Sequence, residues 1–375
     1  MKPISFLVLL STLFSGLSAS TTLTMNYGGI QRSFIVHVPT GNVTNPPLVF
    51  NFHGYTSTAS QQELYTAMDN TADANHFMVV YPDGIGNAWN VGWTGTYGTG
   101  VDDVGFVSAM IDTLHLLYNI DLTRVYSTGL SNGGYLSHRL ACELENRIAA
   151  IAAVSGTLTD STWFYCHPSR IMPIMHIHGT TDPIVPYAGV TGALSTEETI
   201  NFWLNKNTCS TPGDTTNIPN TNTSDGSTAQ SINYPNCAEG TRVLFYKITG
   251  GGHTWPNGVV DISAFGNTNR DMDANTEIWN FFKQYSNPTA TGISPVAEDM
   301  VEVKVYPNPF NDEIKIEANN RIELIELFNI LGEKIFSQSS NLTSTTINLC
   351  SKLAGLYVVK VSGKDFSYAE RVCKN

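Results

Sequence analysis

The chain has 375 residues and a formal net charge of −12, enough for roughly two domains of about 150 residues each. It contains no run of Lys or Arg, which argues against nucleic acid or an anionic membrane held through a basic patch. Only 14% of residues are charged, while Gly, Ser, Thr and Asn are plentiful; that balance suits an exported protein rich in loops.

Met1-Lys2, the apolar run from Ile4 to Leu13 and the small residues from Gly16 to Ser20 read as a signal peptide over 1–20, cleaved near Ala19 or Ser20. The apolar run is too short to span a bilayer comfortably, and no later stretch is apolar enough, so no transmembrane segment is expected after cleavage. Six cysteines follow: Cys142, Cys166, Cys209, Cys237, Cys350 and Cys373. An even count in an exported chain points to disulfides, with fifteen formal pairings. Sequence neighbourhood favours Cys142–Cys166, Cys209–Cys237 and Cys350–Cys373. No Cys-x-x-Cys occurs and the histidines lack ligand spacing, so no metal site is expected.

Thr21 to Tyr27 and Arg32 to Val38 alternate apolar and polar residues around Gly28-Gly29, a hairpin signal. Leu48 to Phe52 is a nearly continuous apolar run, as in a strand buried on both faces, and stops at His53-Gly54-Tyr55. A helix is predicted over 61–74 and a strand over 77–81. An aromatic, Gly-rich loop over 88–100 contains Trp89, Trp93 and Tyr97. Val101 to Tyr118 carries apolar residues at helical spacing, with Asp102-Asp103 in the first turn, where the helix dipole favours acids. A strand over 124–130, a sharp turn at Ser131 and a helix through Ala141 come next. Strands are predicted over 148–154, 171–178 and 242–248, and helices over 197–205 and 274–285. The Thr-, Asn- and Pro-rich stretch 210–230 reads as a surface loop.

Strands alternating with helices imply a mostly parallel sheet covered on both faces. Chemistry in such sheets gathers beyond the carboxyl ends of the strands. A Pro- and Ser/Thr-containing stretch over 287–300 reads as a linker. Residues 301–375 then change character, to short strands and turn signals, a small all-β unit. The expected organisation is a signal peptide over 1–20, an α/β unit over 21–286, the linker, and a β-sandwich over 301–375.

Gly129-Leu130-Ser131-Asn132-Gly133 is Gly-x-Ser-x-Gly between a strand and a helix, the context in which that motif presents a nucleophilic serine. A side chain at Gly129 or Gly133 would collide with the adjoining strand or helix. A helix-entry turn capped by serine spells the same letters, so the partners decide. In this order of elements the acid and then the histidine should follow the serine. His253 lies on a Gly-rich loop after the last strand and is the candidate base. Asp182 follows the 171–178 strand and is the candidate acid, although an aspartate before Pro183 is also an ordinary turn residue; Asp160 is the runner-up. His138 and His115 read as structural, and His176 and His178 alternate along a strand as satisfied core groups. The oxyanion donors would be the backbone N–H groups of Asn132 and Tyr55. Trp93 and Trp255 are candidates for an apolar wall around the substrate, against the plainer reading of packed tryptophans.

Together with Gly129 to Gly134, the stretches His178-Gly179-Thr180-Thr181-Asp182-Pro183-Ile184-Val185-Pro186-Tyr187, Gly250-Gly251-Gly252-His253-Thr254-Trp255-Pro256, Tyr81-Pro82-Asp83-Gly84 and Val101 to Phe106 resemble the extracellular polyhydroxybutyrate depolymerase and feruloyl esterase family, over roughly 21–285. That resemblance implies an α/β-hydrolase fold, the triad Ser131, Asp182 and His253, no cofactor, and bridges Cys142–Cys166 and Cys209–Cys237. Tyr55 departs from it, since many relatives have Cys after His-Gly, as does Val91-Gly92-Trp93-Thr94. The tail, with Tyr306-Pro307-Asn308-Pro309 and Leu353 to Val361, resembles a type IX secretion sorting domain, against the alternative of a small carbohydrate-binding sandwich. The implied activity is a secreted serine esterase. Plant cell-wall feruloyl or acetyl esters of xylan come first as substrate, polyhydroxyalkanoates second and a peptidase third. Implied partners are an ester-bearing polymer and the type IX secretion machinery. The alternative of another class is a non-catalytic glycan-binding protein or adhesin on a hydrolase scaffold.

Overall fold

The computed structural model describes residues 20–41, 43–93, 100–287, 303–329, 334–364 and 366–375. All of the expected signal peptide but its last residue, Ser20, lies outside these residues, as do Tyr97 and most of the expected linker. The chain opens with a hairpin, β1 (Ser20–Tyr27) and β2 (Ile30–His37). Gly28 and Gly29 both have positive φ, +60° and +81°, the two-residue turn whose twist matches its strands. Six parallel strands form the centre: β3 (Leu48–Phe52), β4 (Met78–Pro82), β5 (Val125–Leu130), β6 (Ala150–Val154), β7 (Ile174–Gly179) and β10 (Val243–Thr249). Between the last two lie β8 (Asp214–Asn217) and β9 (Thr228–Tyr234). The sheet order is β1-β2-β4-β3-β5-β6-β7-β10-β9-β8, parallel from β4 to β10 and antiparallel at both edges.

Alternation along the strands feeds two cores. Leu48, Phe50 and Phe52 pack with α3 (Asp103–Tyr118), α4 (Asn132–Glu143) and α6 (Thr196–Lys206). Val49, Val79 and Tyr81 face the other way, toward α2 (Met68–Asn75) and α7 (Ala274–Phe282). This is the α/β-hydrolase architecture expected.

Two expected elements need correction. The single helix over 61–74 is two, α1 (Ala59–Thr66) and α2, broken at Ala67 with φ +48°. The break turns the Thr66 carbonyl away from the helical ladder to accept from Asn275 Nδ2 at 2.7 Å. The loop over 210–230 contains β8 and the start of β9, which extend the sheet edge. β8 is exposed throughout and all polar, so no alternation marked it.

A short α5 (Asp160–Tyr165) follows β6. Cys142–Cys166 and Cys209–Cys237 are bridged. The favoured Cys350–Cys373 pair is not: both are free thiols. The tail forms two antiparallel sheets, with β11 (Val303–Tyr306), β12 (Glu313–Ala318) and β15 (Ser344–Asn348) in one. The other holds β13 (Leu324–Asn329), β14 (Lys334–Ser339), β16 (Gly355–Gly363) and β17 (Phe366–Lys374). The two sheets share one core of Ile314, Ile316, Ile325, Leu327, Ile347, Val359 and Val361. Cys350 sits just past β15 in the first sheet and Cys373 on β17 in the second, which separates the thiols.

One buried ion pair ties the hairpin to α3. Arg32 Nη2 donates to Asp103 Oδ1 at 2.8 Å, and the guanidinium lies 3.9 Å over the Phe106 ring. Asp103 Oδ2 accepts from the Asn90 N–H at 2.7 Å, fixing the start of the aromatic loop. Burial pushes the Asp103 carboxyl up against the lowering effect of these donors. Removing one partner of a buried pair strands the other charge. Asp103→Ala is therefore expected to destabilise the α/β unit by about 3–5 kcal/mol, and the double replacement Arg32→Met, Asp103→Leu by clearly less. All six tryptophans lie between 89 and 279, so urea unfolding followed by tryptophan fluorescence reads this unit alone.

Candidate active site

Ser131 follows β5 directly and has φ +56° and ψ −118°, a strained conformation for a residue with a Cβ, costing about 1–3 kcal/mol. The surroundings impose it. The Ser131 N–H donates to the Val154 carbonyl at 2.9 Å. A Cβ on Gly129 or on Gly133 would overlap the Phe52 carbonyl oxygen, so the turn can lie this close to β3 only with glycine at both places. The backbone N–H of Asn132, at the start of α4, and that of Tyr55 make no hydrogen bond among the described residues. Both flank the serine, and both are available to an oxygen.

Asp182 lies three residues beyond β7 and is buried. Its Oδ1 accepts from the N–H groups of Ile184 and Val185, each at 2.8 Å. Its Oδ2 is 2.8 Å from His253 Nδ1. A carboxylate only accepts, so His253 carries its proton on Nδ1 and presents a lone pair at Nε2. His253 is held in turn by its N–H to the Phe265 carbonyl, 2.6 Å, and by the edge of the Phe265 ring, centroids 5.7 Å apart.

Ser131 and His253 line one cavity of about 540 Å³ with Gly54, Tyr55, Tyr65 and Phe265. Its rim carries apolar side chains that are open to solvent: Tyr55, Leu64, Ile184, Val260 and Ile262. The two tryptophans predicted as its wall are not there. Trp255 is fully buried, with its indole N–H on Asn275 Oδ1 at 3.0 Å. Trp93 packs edge-on to Tyr135, centroids 5.3 Å apart. Asp160, the runner-up acid, is exposed at the start of α5 and borders a different groove.

Several supporting residues were missed from sequence. The Asn132 side chain clamps the aromatic loop, accepting from the Trp89 N–H at 2.6 Å and donating to the Trp89 carbonyl at 3.3 Å. His53 Nε2 accepts from the Gly84 N–H at 3.0 Å while its ring N–H reaches the Gly54 carbonyl at 2.7 Å; burial lowers its pKa. The rim residues Val260 and Ile262 lie between the 242–248 strand and the 274–285 helix, where the sequence assigns no element.

His138, His176 and His178 are buried completely. Burial depresses His138 to about 3, against a hydrogen bond to the Gly156 carbonyl, and pushes His176 far down. Among the described residues no group of three His, Cys, Asp or Glu side chains could hold a metal ion, and no helix is long and apolar enough to cross a membrane.

Comparison with known proteins gives two family matches. Residues 104–228 match the phospholipase/carboxylesterase family, and residues 304–375 match the secretion system C-terminal sorting domain. Two curated relatives are a bifunctional acetylxylan esterase/xylanase of Neocallimastix patriciarum, 30% identical over 60% of this chain and 31% of its own length, and feruloyl esterase B of Piromyces equi, 29% identical over 68% of this chain and 46% of its own. The chain thus spans less than half the length of either. Among solved structures, the acetyl xylan esterase from Aspergillus awamori superposes with a TM-score of 0.48 at 19% identity, over 67% of this chain and 94% of that one.

The buried histidines set a pH dependence. Their folded-state pKa values lie below the unfolded value of about 6.5, so the unfolded chain binds more protons in the window between. Stability is full above that window and falls as pH drops through it, reaching down to about 3 for His138. The expected slope is about 1.4 kcal/mol per pH unit for each of His138 and His176. Unfolding free energies from urea titrations at pH 7.5, 6.0 and 5.0 measure it; a flat profile would contradict neutral buried rings.

Proposed function

We propose that this chain is an exported serine esterase that cleaves carboxylic esters on plant cell-wall xylan. The observation that carries the reading is one cavity that receives both Ser131, on a strained turn, and the His253 imidazole, oriented by Asp182 at 2.8 Å. In this mechanism the Ser131 hydroxyl attacks the ester carbonyl while His253 Nε2 takes its proton. Asp182 keeps the imidazole in the tautomer that can accept and stabilises the imidazolium that forms. The free N–H groups of Asn132 and Tyr55 receive the developing oxyanion. His253 then protonates the leaving alcohol. Water, deprotonated by the same ring, attacks the acyl-enzyme, releases the acid and restores the serine.

The substrate class rests on the rim and on the relatives. An apolar, solvent-open mouth accommodates an ester that protrudes from a chain, with an acyl group lying against Tyr55, Ile184 and Val260. The two curated relatives described above are named for acetylxylan and feruloyl esters. The C-terminal sorting-domain match supports delivery to the cell surface or medium through type IX secretion, with the domain bounds 21–286 and 301–375.

The test offers methyl ferulate, acetylated xylan and polyhydroxybutyrate to the mature chain in parallel. Ferulate or acetate should be released. Ser131→Ala should lose on the order of 10⁶-fold in kcat and Asp182→Asn about 10⁴-fold, with unchanged circular dichroism. Release of hydroxybutyrate alone would assign a polyester depolymerase instead, and a Ser131 that no phosphonate labels would remove the esterase reading. A second measurement separates backbone from side chain at the oxyanion site. Tyr55→Ala keeps its N–H, so kcat should hold within a few-fold while KM for methyl ferulate rises.

A further inference from the structure

Three buried histidines connect α4 and α6 to the turn that carries Asp182. Trp203 Nε1 lies 3.1 Å from His138 Nδ1, His138 Nε2 is 3.4 Å from His176 Nδ1, and His176 Nε2 is 3.2 Å from His178 Nδ1. His178 Nε2 ends the row, 2.9 Å from the Val185 carbonyl and 3.6 Å from Asp182 Oδ2.

Elementary donor and acceptor rules fix every proton in this row. An indole N–H only donates, so His138 Nδ1 is bare and Nε2 holds the proton. With Nδ1 bare, the same proton serves the Gly156 carbonyl and faces His176 Nδ1 at 3.4 Å; His176 Nδ1 must then be bare, so His176 is protonated at Nε2. The same step repeats at His178. The far end gives the same answer independently, because a carbonyl and a carboxylate only accept and so require a proton on His178 Nε2. All three rings must be neutral: an added proton on any Nδ1 would set two donors face to face. Tyr187 and Phe245 border the row as rings, 5.9 Å from His178 and His176 respectively, and the Tyr187 hydroxyl donates to Glu197. The charged groups facing the row are Asp182 and, beyond it, His253.

We propose that Trp203, His138, His176 and His178 form a one-directional hydrogen-bond wire whose last member, His178, is a positioning residue for the Asp182 carboxylate. Val185 is held from both sides. Its carbonyl accepts from His178, and its N–H donates to Asp182 Oδ1 at 2.8 Å. The turn over 182–185 therefore cannot rotate Oδ2 away from His253 without breaking the end of the wire. His138 lies seven residues after Ser131 on the helix that the serine turn begins, so one row of hydrogen bonds links the helix behind the nucleophile to the acid. The kinetic part of this inference rests on the esterase reading; the proton pattern does not.

The test therefore has two arms on the mature full-length chain. Long-range ¹⁵N–¹H NMR of the imidazole nitrogens should show His138, His176 and His178 all protonated at Nε2 and bare at Nδ1 at pH 8. Trp203→Phe, which removes the indole donor to His138 Nδ1, should disturb the His138 signals first. A proton on Nδ1 of any of the three in the wild-type chain overturns the wire, whether or not the chain hydrolyses an ester. In the kinetic arm, His178→Leu should lower kcat about 10- to 100-fold, the scale of a misplaced catalytic group, with KM unchanged. His178→Gln, whose amide nitrogen can occupy the place of Nε2, should recover most of that loss. A folded His178→Leu with wild-type kcat, or a His178→Gln as slow as the leucine variant, overturns the positioning role. Should His178→Leu not fold, kcat of Trp203→Phe takes its place, with a several-fold fall at constant KM expected and no change overturning.

Discussion

The approach of the Ser131 turn to the Phe52 carbonyl constrains everything around it. β3 and β5 are neighbours in register, with Phe52 opposite Gly129, so the chain leaving β5 must pass over the end of β3 before α4 can begin. Glycine at 129 and 133 removes the two Cβ atoms that would block that passage. The serine between them takes the remaining strain in its own backbone, at φ +56°. Strain of that size persists only where neighbouring bonds over-determine it, and here the Val154 carbonyl and the start of α4 do so. The same turn places Ser131 on the cavity and Asn132 at the start of α4 beside it. Under the proposed mechanism, the fold and the chemistry would share a single cause at this point.

Polar groups buried beside that turn are organised to leave little unsatisfied. His53 is engaged at both nitrogens, Asn132 at both ends of its amide, and Asp182 at both oxygens. Each such group would cost about 1–3 kcal/mol if left without a partner in the interior. Among the described residues the N–H groups of Tyr55 and Asn132 stand out against that background: Tyr55 lines the cavity, and Asn132 directly follows Ser131, which lines it. A donor that a well-satisfied interior leaves open is one that a substrate oxygen can complete.

Much of this was legible in the sequence because it depends on local patterns. The parallel strands announced themselves as apolar runs, and the Gly28-Gly29 hairpin by its alternation. Ser131, Asp182 and His253 could be picked out by their position after strands and by their order along the chain. What escaped has a physical reason in each case. β8 carries no side chain to bury, so nothing distinguished it from a loop. Ala67 breaks a helix because Asn275, some two hundred residues away, claims the Thr66 carbonyl. Trp255 sits two residues from His253, yet its ring is buried in the core with its indole N–H on Asn275, a partner on α7 that the local sequence does not reveal. His176 and His178 read correctly as satisfied core groups, but their partner, His138, lies on another element and no spacing along the chain reveals it.

The disulfides complete the picture of how the acid is held. Cys142–Cys166 joins the end of α4 to the end of α5, and Cys209–Cys237 joins the segment after α6 to the loop before β10. Their loops span 24 and 28 residues, for which the chain-entropy model gives roughly 3 kcal/mol each. The stretch between the two bridges holds β7, the Asp182 turn and α6 with Trp203. That segment is therefore pinned covalently at both flanks and by buried hydrogen bonds within. By contrast, Tyr55, Val260 and Ile262 stand on exposed segments at the cavity mouth. Under the proposed mechanism, the pinned part of the site is the part that keeps the Asp182 carboxylate on the His253 imidazole, while the open part would meet the variable portion of a substrate.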